Sequence, residues 1–219
     1  MQVRLLRLPG VFPPHSDSWL LAAQMLAEPV PRAGSILDLC TGSGLLAVLA
    51  AREHRTEVVA VDVSRRAVIT ARLNARLNGV RLKAIRGDLF APVGARRFDL
   101  IVSNPPYLPT TNGDPGSHSS ARAWEAGPSG RRYIDRICRE APAHLRRGGA
   151  LLLVHSAVCG EALTVKALEA AGVEPAVVKR RRGPLGPRLQ ARVAWLRARG
   201  LLGEDASEEM LVIRATQPM

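Results

Sequence analysis

The sequence predicts an α/β protein built on a doubly wound, mostly parallel sheet with helices on both faces. Three observations carry that expectation. Short apolar runs such as Ile36-Leu37-Asp38-Leu39 and Val58-Val59-Ala60-Val61 alternate with helical segments, as strands buried on both faces do. Successive runs end at acids or an asparagine, namely Asp62, Gly87-Asp88 and Asn104. The 219 residues are 47% hydrophobic, which suits one globular unit with a substantial core.

The elements follow in order. A Pro-rich turn from Val11 precedes a helix that starts at Ser16 or Asp17, both good N-caps, and ends before Pro29 and Pro31. The strand 36–39 runs into Gly42-Ser43-Gly44 and a helix over 45–53. The strand 58–61 ends at Asp62, and a helix from Ser64 or Arg65 to Leu77 is stopped by Asn78-Gly79. Strands are expected at 82–85 and 98–102. The polar residues 108–122 form a loop that could act as a flap. A helix over 129–146, a strand at 150–154, a helix over 160–171 and a strand at 174–178 complete the alternation. The basic stretch Lys179-Arg180-Arg181-Arg182-Gly183-Pro184 reads as a loop, residues 189–199 as a helix and 210–215 as a last strand. No repeat or linker divides the chain, so one domain over 1–219 is expected, with 1–33 packed on it as a lead-in segment and helix.

Composition narrows the function. No apolar run reaches membrane-spanning length, and the start lacks the apolar core of a signal peptide, so a cytoplasmic protein without membrane contact is expected. Cys40, Cys138 and Cys159 are scattered, as are the histidines; no metal site or disulfide framework is expected, and His155 reads as structural. The net charge of +12 invites a nucleic-acid reading. Yet Lys83, Lys166 and Lys179 are the only lysines, and arginine bias beside abundant Ala, Gly and Leu is equally a mark of GC-rich coding. An acidic partner such as ribosomal RNA stays open, with Lys179–Arg182 as its contact.

Ligands of open α/β sheets sit outside the carboxyl ends of the strands, where Asp38, Gly42, Gly44, Asp62, Asp88 and Asn104 collect. A dinucleotide fold is disfavoured because Leu45-Leu46-Ala47 follow Gly44, leaving no GxGxxG. Asp38 would repel a pyrophosphate and suits a cationic ligand with an ammonium group. Asp62 can accept both hydroxyls of a ribose. Asp88 can accept from an adenine amino group beside a backbone N–H that serves a ring nitrogen. Each acid alone reads as a cap or a loop residue; together, at successive strand ends, they read as a ligand site.

Asn104-Pro105-Pro106-Tyr107 then closes the argument. Two prolines stop sheet pairing and fix the backbone direction, leaving a stiff corner with a side-chain amide, free carbonyls and an aromatic face. The Asn104 carbonyl oxygen can accept one N–H of a planar NH2, the Pro105 carbonyl the other, and the Tyr107 ring can cover the plane.

On these residues the chain resembles the class I S-adenosylmethionine-dependent methyltransferases, and more narrowly the short, single-domain branch of the HemK/PrmC family. That family methylates the glutamine side-chain amide in the GGQ loop of peptide-chain release factors. The motifs that carry the likeness are Phe12-Pro13-Pro14-His15-Ser16-Asp17-Ser18, Leu37 to Gly44, Asp62, Gly87-Asp88-Leu89, Asn104 to Tyr107 and Ala123-Trp124-Glu125-Ala126-Gly127. The resemblance implies a Rossmann-like seven-stranded sheet with an antiparallel last strand. It assigns S-adenosyl-L-methionine to Ser18, Asp38, Cys40, Thr41, Gly42, Gly44, Asp62, Val63, Asp88, Leu89 and Asn104. Catalysis falls to Asn104, Pro105, Pro106 and Tyr107, with no metal. It further implies a release factor as acceptor and, in the short branch, a small zinc-binding activator subunit. Cys40 departs from the usual glycine, Phe12 from tyrosine and Ser16 from an acid, and the separate helical domain of bacterial members is missing. The same corner also serves exocyclic amines of nucleic-acid bases. A nucleic-acid methyltransferase, a small-molecule or natural-product methyltransferase and a non-catalytic donor-binding protein are the competing readings.

Overall fold

A computed structural model describes residues 3–111, 120–205 and 207–219. Among these, seven strands form one sheet in the order β3-β2-β1-β4-β5-β7-β6. They are β1 (Ser35–Leu39), β2 (Glu57–Asp62), β3 (Lys83–Arg86), β4 (Phe98–Ser103), β5 (Leu145–Ser156), β6 (Glu174–Pro184) and β7 (Ser207–Thr216). β7 runs antiparallel to both its neighbours, and the remaining pairs are parallel. The helices are α1 (Ser16–Ala27), α2 (Leu45–Glu53), α3 (Arg65–Leu77), α4 (Arg132–His144), α5 (Glu161–Ala170) and the short α6 (Pro187–Gln190) and α7 (Val193–Ala198).

The two-residue period of the strands feeds two cores. Ile36, Val58 and Ala60 face α1, α2 and α3, whose Leu21, Met25, Leu49 and Val68 complete that layer. Leu37, Leu39, Val59 and Val61 face the other way, onto Ile134, Ile137 and Ala141 of α4 and Leu168 of α5. All five residues of β1 are buried, which is why the run lacks polar alternation. At Gly44 an added Cβ would lie 2.8 Å from Ala71 Cα, so α2 enters against α3 only with glycine there.

From β1 the chain steps one way to β2 and later returns to place β4 on the other side. The crevice of such a switch point opens between the carboxyl ends of β1 and β4. The sequence positions Cys40–Gly44 and Asn104 at these two ends.

Several expectations are corrected. The N-cap of α1 is His15, and Asp17 is buried within the first turn rather than capping it. α4 is shorter than 129–146, because β5 begins at Leu145, well before Ala150. Gly148, with φ 71°, and a shift in the β4–β5 register between Phe98 and Leu100 accommodate the extra strand residues. The basic stretch 179–184 is strand, not loop. It pairs with β7 at Arg180↔Leu211, Arg181↔Met210 and Arg182↔Glu209. Residues 189–199 hold two short helices separated at Ala191 and Arg192 rather than one. The expected flap at 108–122 falls largely on 112–119, outside the described residues. No helix among the described residues is long and apolar enough to cross a membrane.

Candidate active site

The turn after β1 is built around buried Asp38. Its Oδ2 accepts from Thr41 Oγ1 at 2.5 Å and from the Ala47 N–H at 3.1 Å, locking the loop to the first turn of α2. Its Oδ1 has no partner and no exposure. Burial pushes the carboxyl up to about 7, against the pull of the Thr41 and Ala47 bonds. Cys40 (φ 59°), Gly42 (φ 54°) and Gly44 (φ 81°) are all left-handed. The glycine usual at position 40 in the resembling family is thus a backbone requirement that cysteine meets at some strain. The Cys40 thiol is pushed well above its usual range by burial and by Asp62 and Asp38, so it is no nucleophile.

Asp62 ends β2 and joins this turn: Oδ2 accepts from the Gly42 N–H at 2.9 Å, Oδ1 from the Ser64 N–H at 2.8 Å. Burial raises its carboxyl as well, offset by these two amides. Asp88, at the end of β3, is half exposed and held by Arg136 of α4 at 2.9 Å. Leu89 beside it is buried and left-handed at φ 47°, an unusual conformation for leucine.

A cavity of about 380 Å³ opens at this turn. Thr41, Gly42, Asp62, Val63, Asp88 and Leu89 line it, together with Ser18, Cys40 and Asn104. Asp38 and Gly44 do not; they lie behind the turn and shape it. A Cβ at Gly42 would meet nothing closer than 4.0 Å, so the turn presents bare backbone.

A second cavity, of about 480 Å³, opens on the other side of the Asn-Pro-Pro-Tyr corner. Pro105, Tyr107, Trp124 and Arg188 are among its walls. Phe12, Asn104, Pro106 and Ala123 belong to both cavities, so Asn104 sits at their junction. The corner is clamped from behind. Leu108 N–H donates to the Trp124 carbonyl at 2.7 Å and Ala126 N–H to the Leu108 carbonyl at 3.0 Å. A Cβ at Gly130 would fall 2.2 Å from the Tyr107 carbonyl oxygen, an approach only glycine allows. The segment 123–127 therefore acts as backbone support for the corner.

The sequence pattern missed four side chains here. Asp17 accepts from the Tyr107 hydroxyl at 2.8 Å. Arg136 holds Asp88. Arg188 lies 4.4 Å over the Trp124 ring and 5.1 Å over that of Phe12. Glu208 lines the second cavity, its carboxyl raised by burial. The only signal for Arg188 was its place in a basic, Pro- and Gly-rich stretch between two strands.

Residues 2–115 match the model of the methyltransferase small domain. A Methanocaldococcus jannaschii protein, named as a candidate protein N5-glutamine methyltransferase, is 31% identical over 182 residues, 83% of this chain and 90% of its own. The chain belongs to the methyltransferase small-domain family. This methyltransferase is also 35% identical over 151 residues to the release factor glutamine methyltransferase of Geobacter sulfurreducens, 66% of this chain and 53% of that protein. It thus spans about half the length of such bacterial relatives. Among solved structures, the E. cuniculi Mtq2–Trm112 complex, responsible for methylating the eRF1 translation termination factor, aligns with a TM-score of 0.64 at 21% identity, covering 95% of this chain and 99% of that one. A T. thermophilus 16S rRNA methyltransferase in complex with AdoMet and guanosine aligns at 0.60 and 24%, covering 96% and 46%. Both share the fold.

Proposed function

We propose that this methyltransferase transfers a methyl group from S-adenosylmethionine to the side-chain amide nitrogen of a glutamine in a protein, the GGQ loop of a peptide-chain release factor. The observation that carries the reading is the placement of Asn104 at the junction of two cavities. One is lined by carboxylates and bare backbone, the other by an aromatic and proline wall. The names of the relatives at 31% and 35% identity support glutamine as the acceptor.

The first cavity fits the donor. The exposed backbone at Gly42 leaves room for close approach, Asp62 retains lone pairs for two ribose hydroxyls, and the Leu89 N–H can serve an adenine nitrogen beside Asp88. Asp38, behind the turn with one orphaned oxygen and its carboxyl raised to about 7, is drawn to its charged form by an ammonium group bound nearby. Bound there, S-adenosylmethionine supplies an electrophilic methyl carbon on a sulfonium.

The chain's own part is positioning. An amide nitrogen is a weak nucleophile because its lone pair is delocalised into the carbonyl. Asn104 Oδ1 and the Pro105 carbonyl accept its two N–H groups, turning the nitrogen toward the first cavity and favouring positive charge on it. As the N–C bond forms the S–C bond breaks to leave the thioether, and the nitrogen then gives up one of its two protons to water. Tyr107 walls the amide plane. Arg188, which lines the second cavity, has donors that can meet carbonyls of the acceptor. The basic stretch gives little support to RNA binding, since Arg180 pairs with Glu161 and Glu209, and Arg182 with Asp205.

The deciding assay follows labelled methyl from S-adenosylmethionine onto a release factor, its GGQ→GGA version, rRNA, tRNA and DNA. Label that disappears with the glutamine is expected. Label on nucleic acid would overturn the reading. Transfer that begins only when a small accessory protein is added would mark a two-subunit enzyme.

A further inference from the structure

Asp17 is 6% exposed, in the first turn of α1, and three donors converge on it. Oδ1 accepts from the Ser18 N–H at 2.6 Å and from Ser18 Oγ at 3.2 Å, and Oδ2 from the Tyr107 hydroxyl at 2.8 Å. Ser18 Oγ in turn lies 3.1 Å from Asn104 Nδ2. Hydrogen-bond polarity makes this a one-way chain. A serine hydroxyl has one proton, and a carboxylate can only accept, so that proton points to Asp17. The Ser18 oxygen is then an acceptor toward Asn104, and the Asn104 amide must turn its NH2 to α1. The reverse orientation would set the amide oxygen against an oxygen whose proton is already committed. Asn104 Oδ1 is therefore left as the free acceptor of the side chain.

We infer that Asp17 is a positioning residue for methyl transfer, which acts through Ser18 to orient and polarise the Asn104 amide and through Tyr107 to hold the facing wall of the acceptor cavity. The inference rests on the reading of Asn104 Oδ1 as acceptor of an N–H of the methylated group. Chains of hydrogen bonds polarise one another in a low-dielectric interior. A negative charge at the head of this chain increases electron density on Asn104 Oδ1. That gain matters most when positive charge develops on the acceptor nitrogen, so it belongs to the transition state more than to the bound ground state. The same carboxylate keeps Tyr107 hydroxyl-down, its proton retained because burial and Asp17 raise it well above the usual phenol range. Two of the four motif residues are thus set by one acid that the chain places 87 and 90 residues earlier.

The test compares Asp17→Asn, Ser18→Ala, Ser18→Thr and Asn104→Ala. Steady-state methylation of a release factor is combined with calorimetric binding of S-adenosylhomocysteine and with the side-chain NH2 resonances of Asn104 in ¹⁵N-labelled protein. Asp17→Asn and Ser18→Ala should each lower kcat on the order of 10- to 100-fold, the scale of losing a group that orients a reacting side chain. In Asp17→Asn, which lies outside the donor cavity, KM and S-adenosylhomocysteine affinity should stay within a factor of about three, because ground-state binding is not what the relay supplies. Ser18→Ala also removes a hydroxyl from the wall of that cavity, so its kcat and the Asn104 signals are its readouts. The double variant should lose little more than either single one. Ser18→Thr, which keeps the hydroxyl, should retain turnover. Both relay variants should shift the Asn104 NH2 signals. Unshifted signals, or a wild-type kcat in Asp17→Asn beside an inactive Asn104→Ala, would overturn the relay while sparing the assignment of Asn104. An active Asn104→Ala would instead sink the assignment on which it rests. If Asp17→Asn fails to fold, the Ser18 pair and the NH2 signals still decide.

Discussion

The Gly42 amide donates to Asp62 Oδ2 across 2.9 Å, so the glycine turn after β1 and the acid at the end of β2 form one unit. Each carboxylate oxygen of Asp62 already receives one backbone amide and keeps a lone pair toward the cavity. The acid is therefore held in place before any ligand arrives.

Asp62→Ala should weaken S-adenosylhomocysteine binding by ~1–3 kcal/mol, the scale of losing hydrogen bonds to a charged acceptor. Calorimetry reads this directly. The apo protein should also melt lower, because the Gly42 and Ser64 amides lose their acceptor. An unchanged affinity would move the ribose elsewhere.

Cys40→Gly should stabilise the protein. The left-handed φ of 59° penalises any side chain, by roughly 1–2 kcal/mol in general, offset in part by the greater chain entropy of glycine when unfolded. A gain of about 1 kcal/mol in urea unfolding is expected on that balance. In the wild type the raised thiol should react slowly with iodoacetamide near neutral pH.

The pH dependence of stability should carry the signature of Asp38. Burial raises its carboxyl to about 7 in the folded state, so the folded protein retains a proton that the unfolded chain releases. The resulting stabilisation is complete below the ordinary carboxylate range and disappears as pH rises through about 7. His155, lowered to about 4 by burial, acts in the opposite direction between that value and its ordinary range. The difference in unfolding free energy between wild type and Asp38→Asn isolates the acid. It should shift against the wild type as pH rises from 4 toward 7 and level off above. A flat difference would contradict the raised carboxyl.

Arg188→Ala should raise KM for the protein acceptor several-fold and leave S-adenosylhomocysteine affinity unchanged, since Arg188 lines the second cavity and not the first. Arg188→Lys should not restore the wild type. The planar guanidinium lies over Trp124 and Phe12, and an ammonium lacks both the plane and the fork of donors.

The sequence by itself determined the alternating architecture and the residues at the carboxyl ends of β1 to β4. Those signals are local: apolar runs buried on both faces, glycines that free the backbone at 42 and 44, prolines that stop β4 at Asn104. Tertiary structure decided what depends on partners distant along the chain. Lys179–Arg182 shows no strand pattern, because on an outer strand its order comes from pairing with β7 and from ion pairs of Arg180 with Glu161 and Glu209 and of Arg182 with Asp205. Asp38 reads as a ligand acid from its position, yet only packing shows it sealed behind the turn with its carboxyl raised. Asp17 reads as a helix cap, since an acid before an apolar helix has that local use. Its bond to Tyr107, 90 residues later, exists only because the sheet brings the end of β4 under α1. Hydrogen-bond direction is a property of that meeting, and no segment of the chain carries it alone.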